Sequence, residues 1–120
     1  SRVGKFAECR CSGLSKVLYF HDLGEFDEGT IYGNFTIEKI VAHACDKFIE
    51  VRATGDLVPT LTNLIIKDSN IEQNGTTAIH LENLFGPNII DNNILENSPN
   101  AIYASITNGS LTVTNNYFEN

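Results

Sequence analysis

Apolar and polar residues alternate along several short stretches of this chain, and polar breaks separate those stretches. Leu111-Thr112-Val113-Thr114 and Ile79-His80-Leu81 alternate with a period of two, which is typical of a half-buried β-strand. Asn, Gly, Ser and Pro mark the breaks, and these residues favour turns. The pattern predicts many short strands, with helix in less than about 10% of the chain against an ordinary share near a third.

A repeat of about 23 residues, within the range typical of solenoids, underlies the pattern. Asn70, Asn93 and Asn116 follow one another at this interval, and the strip at 78–81 recurs at the same interval as 101–104. Related strips occur earlier in the chain, at 47–51 and 16–20, with somewhat longer intervals between them. The strips recur in one chain direction with two or three breaks between them, whereas hairpins would reverse it. The repeat therefore predicts a parallel solenoid.

Stacking one coil per roughly 4.8 Å places like residues above like residues. We count four nearly complete coils, residues 6–20, 35–51, 64–81 and 88–104, and a fifth that is incomplete at Asn120. Asn70, Asn93 and Asn116 are expected to stack at a turn, where amides bond along the axis as in cross-β ladders. Two inward columns are predicted: Leu18, Ile49, Ile79 and Ile102, and Phe20, Val51, Leu81 and Ala104. The predicted fold is all-β, a single-stranded parallel β-helix that forms one domain over residues 1–120.

The most regular part of the repeat is specific enough to compare with known folds. Ile66-x-Asp68-x-x-Ile71-x-x-Asn74 followed by Ala78-Ile79-x-Leu81 recurs as Ile90-x-Asn92-x-x-Leu95-x-x-Asn97 followed by Ala101-Ile102. This pattern resembles the right-handed parallel β-helix of pectate-lyase-like proteins, an architecture shared with bacteriophage tailspikes and appendages. The resemblance is strong over residues 64–120 and looser over 1–63. It is specific for the fold, because the repeated residues are those that fill a coil.

The resemblance implies a protein at a virion surface or outside the cell. The first functional hypothesis is a tailspike or appendage segment that recognises a host cell-surface polysaccharide, in a full-length parent that is a homotrimer. Depolymerisation of the glycan by the complete protein, at a site elsewhere or between subunits, is compatible with this hypothesis. The alternative is a secreted polysaccharide lyase or glycoside hydrolase of the pectate-lyase-like kind. The family's clustered metal-binding aspartates followed by a basic residue are not recognisable here, so no catalytic residue carries over.

The length of the chain limits the number of domains, and its charge limits the partners that it can bind. The chain has 120 residues with 8 basic and 15 acidic side chains, a net charge of −7. One modest domain suits this length, and the negative charge repels a phosphate backbone, which argues against nucleic acid. The longest apolar runs, such as 17–20, are far short of the roughly 20 residues that insert into a membrane as a helix. Because the chain starts without Met and ends inside a coil, we expect a piece of a longer protein.

The positions that follow the inward columns supply the candidate site. By alternation, one outward stripe holds Tyr19, Glu50, His80 and Tyr103, and a second holds His21, Arg52, Glu82 and Ser105. Tyr19, Arg52, His80 and Tyr103 are the candidate substrate-binding residues, because aromatic faces and charged groups bind sugar rings and hydroxyls. Glu50 and Glu82 are the candidate catalytic pair, since diagonal neighbours lie roughly 7–8 Å apart, within the range of inverting glycosidases. The alternative is that Glu50 with His80, and Arg52 with Glu82, are exposed cross-strand pairs that only stabilise the sheet.

The cysteines do not suggest a framework of disulfide bonds. Cys9, Cys11 and Cys45 are an odd number, which argues against paired disulfides and favours free buried thiols. A zinc site that joins them to His43 is an alternative, but alternation places His43 and Cys45 on the side opposite Cys9 and Cys11. The acidic loop at 21–29 lacks the ligand spacing of a calcium-binding EF-hand. We predict neither a metal nor a cofactor.

Overall fold

The computed structural model describes residues 2–21, 32–52, 61–72, 75, 77–82, 84, 86–106 and 109–119, with only the backbone described at residues 2, 3, 20, 21, 32, 33, 52, 61 and 62. Within these ranges the chain forms fifteen β-strands and no helix. The strands are β1 (Arg2–Ala7), β2 (Arg10–Ser12), β3 (Lys16–His21), β4 (Tyr32–Glu38), β5 (Val41–His43), β6 (Lys47–Arg52), β7 (Leu61–Thr62), β8 (Ile65–Lys67), β9 (Asn70–Glu72), β10 (Ile79–Glu82), β11 (Gly86–Asp91), β12 (Ile94–Glu96), β13 (Ile102–Ser105), β14 (Gly109–Thr114) and β15 (Tyr117–Glu119).

The strands form three parallel sheets. The first has the order β1-β4-β8-β11-β14, with β7 also paired to β4; the second is β15-β12-β9-β5-β2; the third is β13-β10-β6-β3. The chain visits the first, second and third sheets in turn and then returns to the first, and we call one such passage a circuit. Neighbouring strands come from successive circuits, which confirms the predicted all-β, parallel character. The first two circuits begin at Arg2 and Tyr32, ahead of the predicted coils, because backbone pairing extends beyond the apolar strips.

Apolar side chains fill the interior in columns that cross the circuits. Ile49 pairs with Ile79, and Val51 with Leu81, and all four are 0–1% exposed. Truncating a buried Ile to Ala costs about 2–5 kcal/mol, so the columns hold successive circuits together. The register of both predicted columns is confirmed: Leu18, Ile49, Ile79 and Ile102, and Phe20, Val51, Leu81 and Ala104. Ala104, in the last strand of its sheet, is exposed instead of buried.

One residue in the left-handed conformation makes each turn from the first sheet to the second. Asp68, Asn92 and Asn115 have φ values of 55°, 58° and 55°. Asn and Asp adopt this region more readily than other non-glycine residues, because their short polar side chains bond locally. In the first two circuits the position is held by Glu8 and Lys39.

The residue after this turn carries a polar ladder along the interior. The Asn93 N–H donates to Asn116 Oδ1 at 2.9 Å, the Ser69 N–H donates to Asn93 Oδ1 at 3.1 Å, and the Ile40 N–H donates to Ser69 Oγ at 3.2 Å. Each side-chain oxygen therefore satisfies a backbone N–H of the preceding circuit, which would otherwise be buried without a partner.

The prediction that Asn70 stacks with Asn93 and Asn116 is wrong. Asn70 pairs with Ile94 and lies one position beyond the ladder. The offset between paired residues of the third and fourth circuits is longer by one position in the first two sheets than in the third sheet. The stretch between β9 and β10 (73–78) is one residue longer than the stretch between β12 and β13 (97–101). The equal spacing of the three asparagines does not reveal this insertion.

Candidate functional site

The outer face of the third sheet carries the predicted outward stripe. Tyr19 pairs with Glu50, Glu50 with His80, and His80 with Tyr103. The two tyrosines at its ends are 45% and 48% exposed. The sequence therefore predicted the register of this stripe correctly across four circuits.

Glu50 is buried, although it lies on the outer face. The residue is 1% exposed, and its carboxylate forms ion pairs with Lys16 Nζ at 2.7 Å and Lys47 Nζ at 2.9 Å. Lys16 Nζ also lies 3.9 Å from the centre of the Tyr19 ring, a cation–π contact. Glu50 and His80 are cross-strand neighbours as predicted, but the expectation of an exposed carboxylate is wrong, because the two lysines enclose it.

A β-bulge in β6 explains why the lysines were missed. The N–H groups of Phe48 and Ile49 both donate to the Ala78 carbonyl, at 2.8 and 3.0 Å, and both side chains are fully buried. Two consecutive inward residues shift the alternation by one, so Lys47 shares a face with Glu50. The available signal was lysine at the start of two aligned strips, since Lys16 pairs with Lys47.

His80 connects the polar middle of the stripe to its aromatic end. Its Nε2 lies 2.8 Å from Glu82 Oε1, and its ring stacks on that of Tyr103, with centroids 4.6 Å apart and planes inclined by 24°. A carboxylate partner of this kind fixes the orientation of an imidazole. The ring, the imidazole and the carboxylate thus form one ordered group at the edge of the sheet.

The second predicted stripe is only partly described. His21 and Arg52 occupy paired backbone positions in β3 and β6, but their side chains lie outside the described residues. Ser105 pairs with Glu82 and is exposed. Substrate binding by Arg52, and its pairing with Glu82, stay predictions.

The two candidate catalytic carboxylates differ in access. Glu50 is enclosed between two ammonium groups, whereas 22% of the Glu82 side chain is exposed. Acid–base catalysis by Glu50 and Glu82 stays a prediction. The surface offers flat rings for stacking and fixed polar groups for hydrogen bonds, and substrate binding by Tyr19, His80 and Tyr103 also stays a prediction.

The cysteines lie near one another, contrary to the expectation for Cys45. Cys11 pairs with Ala42 in the predicted register. Burial, followed by the neighbouring thiols of Cys45 and Cys9, raises the pKa of Cys11. Alternation failed for Cys45 because Ala44, with φ 57°, ends β5 and turns the chain.

Two kinds of site are absent from the part of the chain that the structure describes. No three His, Cys, Asp or Glu side chains in it are placed to hold a metal ion. No helix in it is long and apolar enough to cross a membrane. The acidic loop predicted over 21–29 lies outside the described residues, apart from the backbone of His21.

Comparison with known proteins finds no relative. The chain matches no protein-family model, and no curated protein or solved structure is significantly similar to it. Function is therefore inferred from the geometry of the chain itself.

Proposed function

We propose that this chain is a right-handed parallel β-helix whose third-sheet face binds a cell-surface polysaccharide, as part of a bacteriophage tailspike or appendage. The order in which the chain visits three parallel sheets supports the helix. Crossovers between parallel strands of one sheet are right-handed in about 98% of cases, which supports the hand. A homotrimeric parent at a virion or extracellular surface belongs to the same proposal.

The spacing of the two exposed tyrosines carries the proposal. Tyr19 and Tyr103 are separated by three inter-strand steps, about 14 Å at roughly 4.8 Å each. This span leaves room for several linked sugar rings along the helix axis. Tyrosine suits such a role because it combines a large apolar face with a polar tip.

Both rings are held in place by neighbouring side chains. Lys16 lies over Tyr19 at 3.9 Å, and His80 stacks on Tyr103 at 4.6 Å. A side chain that is ordered before binding loses less conformational entropy when the ligand arrives, so the affinity is greater. Glu82 offers an acceptor for sugar hydroxyls beside the second ring.

The test is binding to a panel of purified bacterial surface polysaccharides, measured by calorimetry. Tyr19→Ala and Tyr103→Ala should each weaken binding about tenfold, which corresponds to about 1.4 kcal/mol. Tyr117→Ala is the matched control, because Tyr117 is a similarly exposed tyrosine (55%) on the second sheet. Equal losses in all three variants, or no binding to any polysaccharide, would reject the proposal.

A polysaccharide hydrolase or lyase is the second candidate. The observation that favours it is the 2.8 Å contact between His80 and the partly exposed Glu82, because an oriented imidazole is a common general base. Reducing ends and unsaturated products should be assayed for the protein, for Glu82→Gln and for Glu50→Gln. Turnover that either substitution abolishes in a folded protein would support catalysis here, and turnover that both leave unchanged would exclude it.

A further inference from the structure

The outer face of the second sheet carries two side-chain columns that the proposed glycan surface does not use. One is a mainly apolar column that contains Asn70 and has Arg10 at its end, and the other is dominated by glutamate. Strand pairing places the members of each column one above another: Arg10, Val41, Asn70, Ile94 and Tyr117 in the first, and Ser12, His43, Glu72, Glu96 and Glu119 in the second.

The glutamate column places like charges directly opposite one another. Glu72 pairs with Glu96 and Glu96 with Glu119, so successive carboxylates are one inter-strand step apart. Like charges in this position destabilise a sheet. Within the described ranges no lysine or arginine forms an ion pair with the three, and the single ion pair is His43 with Glu72 at 3.5 Å.

The negative charge of the glutamate column acts on Tyr117 in the neighbouring column. The Tyr117 hydroxyl donates to Glu119 Oε2 at 3.1 Å. That hydrogen bond, the Glu119 charge, burial and the Glu96 charge raise the pKa of Tyr117. The second sheet therefore presents a concentrated negative field beside an apolar column.

The apolar column borders a groove with an unmet acceptor. Val41, Ile94 and Tyr117 are 36%, 37% and 55% exposed. Val41 and Ile94 line a groove of about 360 Å³ together with Asn70 and the turn residues Lys39, Asp68 and Asn92. The Lys39 ammonium forms an ion pair with Glu8 at 3.8 Å. Asn70 Oδ1 is buried and has no hydrogen-bond partner in the part of the chain described, which normally costs stability.

We propose that this face docks a basic segment of a partner protein. Lysine or arginine side chains of the segment lie against Glu72, Glu96 and Glu119, and its apolar side chains cover Val41 and Ile94. Charge complementarity selects this occupant, because a cationic partner relieves the repulsion within the column. A second copy of the chain fits poorly, since it carries a net charge of −7. The interaction lies on a different sheet from the proposed glycan surface and does not depend on it.

The probe is a short synthetic peptide that alternates lysine and valine, with an alternating glutamate and valine peptide as its control. Binding is measured by fluorescence anisotropy on the complete protein at low and at physiological salt. Glu72→Gln/Glu96→Gln should weaken binding of the lysine peptide about tenfold and leave the melting temperature unchanged or higher. The control, Asp46→Asn, removes a carboxylate charge from an exposed position between β5 and β6 and should stay within about twofold.

A separate variant tests the contribution of the apolar column to peptide binding. Ile94→Ser should weaken binding of the lysine–valine peptide but not of an oligolysine peptide. Tyr103→Ala, which tests the glycan surface, should leave peptide binding unchanged, so the two proposals fail independently. Equal losses in both charge variants, or no preference for the lysine peptide over the glutamate peptide, would overturn the docking proposal.

Discussion

Asn93 offers the sharpest test of how the circuits are joined. Its Oδ1 accepts from the Ser69 N–H at 3.1 Å, and its Nδ2 donates to the Ile66 carbonyl at 3.1 Å and to Asn116 Oδ1 at 3.0 Å. Asn93 is 1% exposed, and Ser69 and Ile66 are 3% and 0% exposed. Asn93→Ala therefore removes partners from groups that water does not reach.

The magnitude follows from the groups left unpaired. A buried donor or acceptor without a partner costs about 1–3 kcal/mol, and two backbone groups are affected. A carbonyl has a second lone pair with which to find another donor, so we expect the free energy of unfolding to fall by about 2–4 kcal/mol. That is a large part of the roughly 5–15 kcal/mol that stabilises an ordinary domain.

The assay is urea unfolding followed by far-ultraviolet circular dichroism. Asn93→Ser should lose about half as much as Asn93→Ala, because a hydroxyl can accept from the N–H below it, as Ser69 Oγ does from Ile40 at 3.2 Å. Asn100→Ala, at an exposed turn position, is the control and should stay within about 0.5 kcal/mol. If Asn93→Ala also stays within that margin, the ladder does not stabilise the fold and the reasoning is refuted.

Three further predictions concern single residues. Ala44→Gly should raise the free energy of unfolding by about 1 kcal/mol, because Ala44 holds a φ of 57°, a conformation that a Cβ penalises; an unchanged or lower urea midpoint would contradict this. Glu50→Gln should lower the free energy of unfolding by about 2–3 kcal/mol. This loss is smaller than for a fully buried ion pair, because both lysines are partly exposed. A loss below about 0.5 kcal/mol in thermal and urea unfolding would refute the stabilising role of the ion pairs. Cys11 should alkylate more slowly at mildly alkaline pH than a free cysteine, because its raised pKa leaves less thiolate; mass spectrometry of the tagged peptide measures the rate, and modification as fast as that of a model thiol would disprove it.

The sequence predicted which residues share the first outward stripe, because its members occupy the same position in successive repeats. The side chains of Tyr19, Glu50, His80 and Tyr103 share one position in successive repeats, and parallel pairing turns equal position into contact. The ion-pair partners of these side chains were not predictable in the same way. Glu50 is neutralised by lysines that a strict period of two assigns to the other face, and a bulge at Phe48 makes the difference.

Period, strand direction and the two apolar columns are thus properties of the sequence by itself, because a repeated apolar strip can bury its side chains only against the next copy. Tertiary structure decided the rest, at positions where the backbone departs from the repeat. One additional residue between β9 and β10 put Ser69 instead of Asn70 into the ladder, and the left-handed Ala44 turned Cys45 toward Cys11. Such departures are set by which N–H and carbonyl groups the neighbouring circuit leaves to be satisfied, and that partner is known only once the circuits are stacked.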